Sequence, residues 1–172
     1  MWRTSRDVHI SYSPLPAHTS SKSNNAPLER NADRVEHTPI SADGGDKLSL
    51  CERLRAAPRV IEGTNTATRA GDASCWDWRG KGALFFVTAH WEVLGWGERS
   101  LGDGTERWLV TWFQKTLFSE EGVDIYCDRA EGLSEETYGL IFDALKRIEA
   151  KHVVDLVDRD LFKIKIKSQD ED

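Results

Sequence analysis

Residues 107–145 read RWLVTWFQKTLFSEEGVDIYCDRAEGLSEETYGLIFDAL, two β-like segments followed by a helical one. The segments 107–116 and 123–129 are rich in the ring-bearing and branched side chains that suit β surfaces. Ser134 is a good N-cap, and apolar residues recur at helical spacing from Tyr138 onward. This order predicts two antiparallel strands and then one amphipathic helix, whose apolar stripe packs on the outside of a sheet or barrel.

Working outward from this stretch, the chain is predicted to form a single, mainly β domain over residues 1–172. Further strands are predicted at 7–12, near 60–61, at 75–79, at 83–96 and, after the helix, at 161–167. Between about 18 and 47 the residues are mostly polar, with few large apolar groups. Such a segment buries too little surface to offset its ordering entropy, so we predict a flexible polar loop there.

Composition and charge exclude several classes of protein. The 172 residues carry a formal net charge of -6, whereas nucleic-acid-binding proteins usually have a basic excess, so we expect no nucleic-acid partner. No stretch approaches the roughly 20 apolar residues of a membrane span, and the N-terminus lacks the apolar core of a secretory signal. The three cysteines, Cys51, Cys75 and Cys127, are widely spaced and are predicted to be reduced thiols in a cytoplasmic protein.

Tryptophan is the distinctive residue of this sequence. The chain has seven tryptophans and one methionine, and six of the tryptophans lie between residues 76 and 112. Large rings often serve as core packing. The alternative is a cavity lined with rings, and the sequence leaves both interpretations open.

Several sequence blocks resemble a fungal lipocalin-like family of the calycin superfamily. The blocks are Met1-Trp2-Arg3, Pro14-Leu15-Pro16, WDWRGKG at 76–82, HWEVLGWG at 90–97, WLVTWFQKTLF at 108–118 and GVDIYCDR at 122–129. The resemblance implies an antiparallel up-and-down β-barrel, one C-terminal α-helix packed outside it, and a short final strand. It also implies a small hydrophobic ligand held inside the barrel.

One departure from the lipocalin pattern concerns the first strand. Lipocalins open with a strand that carries a Gly-x-Trp motif, and Trp2 stands in a different context. Either the barrel lacks this strand, or the sequence is a fragment of a longer form that contains it. A barrel without the strand has two open edges. Open edges favour pairing with a second copy, so a homodimer is expected.

The resemblance also supplies an orientation for the strands. The arginine before the helix points inward in lipocalins, and Arg129 takes that position here. Alternation along the strand then turns Ile125 inward, with Asp124 and Tyr126 outward. The same reasoning gives a predicted ligand-binding set of Trp78, Phe85, Trp91, Trp108, Trp112, Ile125 and Arg129.

Candidate chemistry is sparse. His90 and Glu92 lie two residues apart on one strand face, where they could form an acid–base pair or a solvent-side ion pair. Residues 78–82 bring Arg79 and Lys81 to a glycine bend, which could hold an anionic head group or simply expose two charges. The sequence lacks recognised metal, phosphate-loop and dinucleotide motifs, so we expect no metal and no cofactor.

Three functions follow from these features. The first is a binding module for a small hydrophobic molecule. The second is a cofactor-free enzyme of cyclase or isomerase type, acting on an apolar substrate with His90 and Glu92 as weak catalytic candidates. The third is a packed structural or interaction barrel without a ligand. The fold alone does not decide among them.

Overall fold

A computed structural model describes residues 2–18, 26–40, 59–102, 104–164 and 166. The seven strands are β1 Ser5–His18, β2 Leu28–Pro39, β3 Arg59–Arg69, β4 Asp72–Gly80, β5 Thr88–Leu101, β6 Gly104–Phe113 and β7 Gly122–Cys127. The two helices are α1 Glu135–Leu145 and α2 Lys151–Asp160, and short 3-10 turns occupy Trp2–Thr4 and Gly82–Leu84. No helix among these residues is long and apolar enough to cross a membrane.

All seven strands form one antiparallel sheet in the order β1 to β7, each paired with its neighbour in the chain. The prediction of a mainly β chain with neighbouring antiparallel strands is confirmed. The sheet is strongly curved. In a flat sheet β1 and β5 would lie roughly 19 Å apart. The rings of Tyr12 on β1 and Trp91 on β5 are instead stacked, with centroids 6.4 Å apart.

The curvature gives the sheet an inner and an outer face and brings its two end strands together. Trp2, just before β1, donates its indole N–H to Asp124 on β7 over 3.2 Å. Within the described part of the chain, β1 and β7 pair through no backbone hydrogen bonds, so the sheet is not closed.

Both helices pack on the outer face. Val110 of β6, Ile141 and Leu145 of α1, and Val153 and Val157 of α2 form one buried cluster. Partly buried side chains of the sheet pack against it, among them Leu94, Trp108, Trp112, Val123 and Ile125. The predicted position of the first helix, outside the sheet with its apolar stripe buried, agrees with this packing.

Glu106 of β6 joins the sheet to the N-terminus of α1. Its fully buried carboxylate accepts hydrogen bonds from the Ser134 backbone N–H (2.9 Å), the Ser134 hydroxyl (2.8 Å) and the Thr137 hydroxyl. Helix N-termini leave backbone donors unsatisfied and favour negative charge. These hydrogen bonds hold the pKa of Glu106 below its ordinary value.

The prediction of a flexible loop over 18–47 is wrong for its central part, because β2 occupies Leu28–Pro39. The inner-face positions of β2 include Asn31, Asp33 and His37, so the strand lacks the alternation of apolar residues that would have revealed it. Residues 19–25 and 41–47 lie outside the described residues.

The structure corrects three other predictions about the helices and strands. Residues 82–87 are a 3-10 turn and its exit, so the strand predicted from 83 begins at Thr88. The chain has a second C-terminal helix, α2, which buries Val153, Leu156 and Val157 at helical spacing. No strand follows it at 161–164 or at 166. Lys163 instead reaches α1, where it pairs with Glu135.

Candidate functional site

The strand register assigns a set of aromatic and polar side chains to the inner face. Its members include Tyr12, Asn31, Asp33, Asn65, Trp76, Trp78, Trp91, Thr111, Asp124 and Tyr126. These residues come from all seven strands, including both ends of the sheet order. The curvature of the sheet brings them together.

A cavity of about 630 Å³ opens on this inner face, and we call it the aromatic cavity. Trp91 is stacked between two rings: Trp76 at a centroid distance of 5.8 Å and Tyr12 at 6.4 Å. Trp96, 76% exposed, also lines the cavity, as do Val93 and Leu109. Ring faces of this kind suit a flat apolar ligand.

An amide network fixes the central ring of this stack. Trp91 donates its indole N–H to the Asn65 side-chain oxygen over 2.8 Å, and the Asn65 amide donates to the Asn31 side-chain oxygen over 2.8 Å. Asn65 is fully buried, so both of its hydrogen bonds form away from water, where they hold geometry best. Asn31 also lines the cavity.

A half-buried carboxylate, Asp124, lies on the same face. Asp124 accepts hydrogen bonds from the Trp2 indole and the Tyr126 hydroxyl, each over 3.2 Å. Burial raises the pKa of Asp124 above its ordinary value, and these two bonds oppose the shift. Asp124 and Tyr126 were predicted to face outward, which is wrong. The two donors compensate the cost of burying this acid.

Asp33 is the second acid of the inner face. Its Oδ1 atom is buried without a hydrogen-bond partner among the described residues, and burial raises the pKa of Asp33 to about 6. The indole of Trp78 lies across Gly63, which is directly opposite Asp33 in the register. A Cβ atom on Gly63 would lie 2.0 Å from the indole nitrogen, so only glycine lets the ring cross there.

Three members of the predicted ligand-binding set lie on the other face of the sheet. Trp108, Trp112 and Ile125 pack against the buried cluster beneath the helices. The assumption that Arg129 continues the strand is the source of the error. Strand β7 ends at Cys127, so Arg129 does not fix the orientation of its side chains. An apolar outer face is what two amphipathic helices need beneath them.

The other four predicted residues divide between the inner face and the loops. Trp78 and Trp91 lie on the inner face, as expected, and Trp91 lines the aromatic cavity. Phe85 lies in the β4–β5 connection and is 65% exposed. Arg129 lies beyond the end of β7, with its Nε 3.6 Å from the Glu131 carboxylate.

His90 and Glu92 lie on the outer face of the sheet. The Nδ1 atom of His90 is 2.8 Å from Asp77 and its Nε2 atom is 3.2 Å from Glu92. Burial disfavours the charged ring, but the hydrogen bonds to Asp77 and Glu92 outweigh it and raise the pKa of His90. With both nitrogens facing carboxylates, the imidazolium form is favoured, and a general base would need one nitrogen free.

We expect Asp77→Asn to lower the pKa of His90, measured by NMR titration of its ring protons. A raised folded-state pKa contributes stability at pH values below the unfolded-state pKa, and this contribution disappears as the pH rises through the folded-state value. The variant should therefore lose stability mainly on the acidic side of that window. The Glu62→Gln variant, an exposed carboxylate without contact to His90, serves as the control. An unchanged His90 titration in Asp77→Asn would contradict the ion-pair assignment.

Neither a metal centre nor a known relative identifies the site. Among the described residues, no group of three or more His, Cys, Asp or Glu side chains is arranged to hold a metal ion, and Cys75 and Cys127 are free thiols. Compared with known proteins, the chain matches no family model, no curated protein and no solved structure. The lipocalin-like resemblance therefore stays a prediction.

Four residues of this site were not predicted from the sequence: Tyr12, Asn31 and Trp76, which line the cavity, and Asn65, which holds the Trp91 ring. Asn31 falls in the segment that was interpreted as a loop. Asn65 is a polar side chain in the middle of a strand, which gives no composition signal before its partners are known. Trp76 could have been predicted from the sequence, because alternation along β4 places its ring on the same face as that of Trp78.

Proposed function

We propose that this protein is a binding module in which the curved sheet acts as a lipocalin-like barrel around a small, flat hydrophobic molecule. The observation that carries the proposal is the stack of Tyr12, Trp91 and Trp76 along a cavity of about 630 Å³. A volume of this size suits a small organic ligand. An open cavity also favours ligand binding over a barrel filled by its own side chains.

The residues around the stack favour a particular kind of ligand. A planar ligand ring can stack on Trp76 or Tyr12, since Trp91 lies between these two rings. Asn31 can serve one polar group, since its side chain lines the cavity beside the rings. The expected ligand is therefore a planar apolar molecule with a single hydrogen-bonding group. Association of two copies through the β1 and β7 edges stays a prediction of the same proposal.

Binding can be tested by titrating the protein with planar aromatic and polyene compounds while following tryptophan fluorescence. We expect saturable one-to-one quenching, and we expect Tyr12→Leu to weaken the Kd by about three- to tenfold, because it removes one stacking surface. Phe86→Leu, an exposed ring outside the cavity, is the matched control and should leave the Kd unchanged. Equal weakening by both variants, or no binding by a folded protein, would exclude the aromatic cavity as the site.

A second candidate function, a cofactor-free enzyme, rests on Asp33. A carboxyl group with a pKa of about 6 and a buried, unpartnered oxygen is suited to proton transfer near neutral pH. Tyr12, directly opposite Asp33 in the register, would bring the stacked ligand close to it. Mass spectrometry of the recovered ligand separates the two functions: a carrier returns it unchanged, whereas an enzyme returns an isomer that Asp33→Asn no longer forms.

A further inference from the structure

A second cavity, also of about 630 Å³, lies on the outer face of β2 to β5. The register places Arg30, Thr66, Asp77 and His90 in one row across these four strands. The neighbouring row carries Thr64, Arg79 and Thr88. The buried cluster under the helices belongs to the β6–β7 side, so this part of the outer face keeps its own polar cavity. We call it the cationic cavity.

Three cations of the cationic cavity have no carboxylate partner in the described part of the chain. Arg30, Arg79 and Lys81 form no ion pair with any described residue, whereas Arg34, Arg99 and Arg107 each do. Asp77 also lines the cavity, but its carboxylate faces His90 at 2.8 Å. A chain with a formal net charge of -6 thus concentrates positive charge at one place. An oxyanion that enters the cavity would be attracted by these cations, which no described carboxylate neutralises.

Hydrogen-bonding capacity in the cavity also remains unused. The Nε atom of Arg30 is buried without a partner in the described part of the chain, and a buried N–H needs an acceptor. Among the described residues, Arg79 donates only to the Phe85 carbonyl oxygen, over a long 3.4 Å. The hydroxyls of Thr64, Thr66 and Thr88 add donors along the same rows. Guanidinium groups and hydroxyls together match the oxygens of a phosphate or sulfate group.

We propose that the cationic cavity binds a small organic phosphate or sulfate ester, with Arg30, Arg79 and Lys81 as its contacts to the oxyanion. The cavity is larger than one oxyanion, which leaves room for an organic part. This site lies on the opposite face from the aromatic cavity, and neither proposal depends on the other. The two cations noted in the sequence at residues 79 and 81 acquire their third partner, Arg30, only through the pairing of β2, β3 and β4.

The test is calorimetric titration of the full chain with sodium pyrophosphate, with sodium chloride of equal ionic strength as the blank. We expect saturable one-site binding that Arg30→Gln combined with Arg79→Gln weakens by about tenfold or more, because two charge-assisted contacts are lost. The matched control is Arg147→Gln combined with Lys151→Gln. It removes the same charge from exposed cations that form no ion pair with any described residue and lie outside the cavity.

The outcomes separate a built site from general charge attraction. Equal weakening by the two double variants would overturn the proposal, as would the absence of saturable binding at millimolar pyrophosphate. If the cavity variant fails to fold, shown by loss of its thermal transition, Lys81→Gln replaces it. Sedimentation with phosphatidylcholine vesicles containing phosphatidic acid distinguishes a lipid-borne phosphate from a soluble one. In either case, the proposal requires that the cavity variant weaken binding.

Discussion

Glu106→Ala is expected to lower the Tm of the protein by roughly 10 °C, because it leaves three donors at the start of α1 without their acceptor. These donors are the Ser134 backbone N–H and the hydroxyls of Ser134 and Thr137. Buried donors without partners are among the few causes of large single-site destabilisation. Thermal melting followed by circular dichroism measures the effect directly.

The control is Glu98→Ala, which removes an exposed carboxylate that pairs with Arg107 over 3.3 Å. Exposed ion pairs contribute little, so its Tm should change by no more than about 2 °C. The loss of stability at low pH provides a second check. Because the folded-state pKa of Glu106 is lowered, its contribution is present above the unfolded-state pKa and is lost as the pH falls through the folded-state value. A Glu106→Ala variant with the wild-type Tm would show that the carboxylate does not hold the helix.

Gly63→Ala is expected to destabilise the protein by about 2 to 4 kcal/mol, measured by urea unfolding. The new Cβ atom would lie 2.0 Å from the Trp78 indole nitrogen, far inside van der Waals contact. The ring must move off the inner face or the strands must separate. Either change also alters the surroundings of Asp33, which lies directly opposite Gly63.

Gly139→Ala is the matched substitution, with the opposite expected sign. Gly139 lies within α1, and a Cβ atom there would meet nothing within 4 Å. Alanine in a helix interior is more favourable than glycine, so this variant should gain about 0.5 to 1 kcal/mol. A Gly63→Ala protein as stable as the wild type would show that Trp78 does not lie across this strand.

The sequence predicted the fold class because its strongest signals are local. Alternation in β1, the ring-rich strands β4 to β6 and the N-cap Ser134 each favour one structure before any tertiary contact forms. The second helix was missed because its apolar residues, Val153, Leu156 and Val157, are few and close together. Strand β2 was missed because its inner face is polar, which becomes acceptable only once Asn65 supplies a hydrogen-bond partner to Asn31.

The candidate site was harder to predict than the fold, because alternation defines two faces without saying which one is inside. Two orientations fit the alternation equally well: Trp108 and Trp112 inside with Asp124 outside, or the reverse. The usual cost of burying a carboxylate favoured Asp124 outside. The indole of Trp2, 122 residues away in the chain, reverses that preference by donating to it. Contacts of this range cannot be read from a single strand.

The most direct test of the proposed binding function is NMR spectroscopy of the tryptophan indole N–H signals during ligand titration. The chain has seven tryptophans, and they are divided between the two faces. With a planar ligand from the fluorescence screen, we expect the signals of Trp76, Trp91 and Trp96 to shift, and those of Trp108 and Trp112 to stay in place. Shifts confined to Trp108 and Trp112, or no shifts at saturating ligand, would contradict binding in the aromatic cavity.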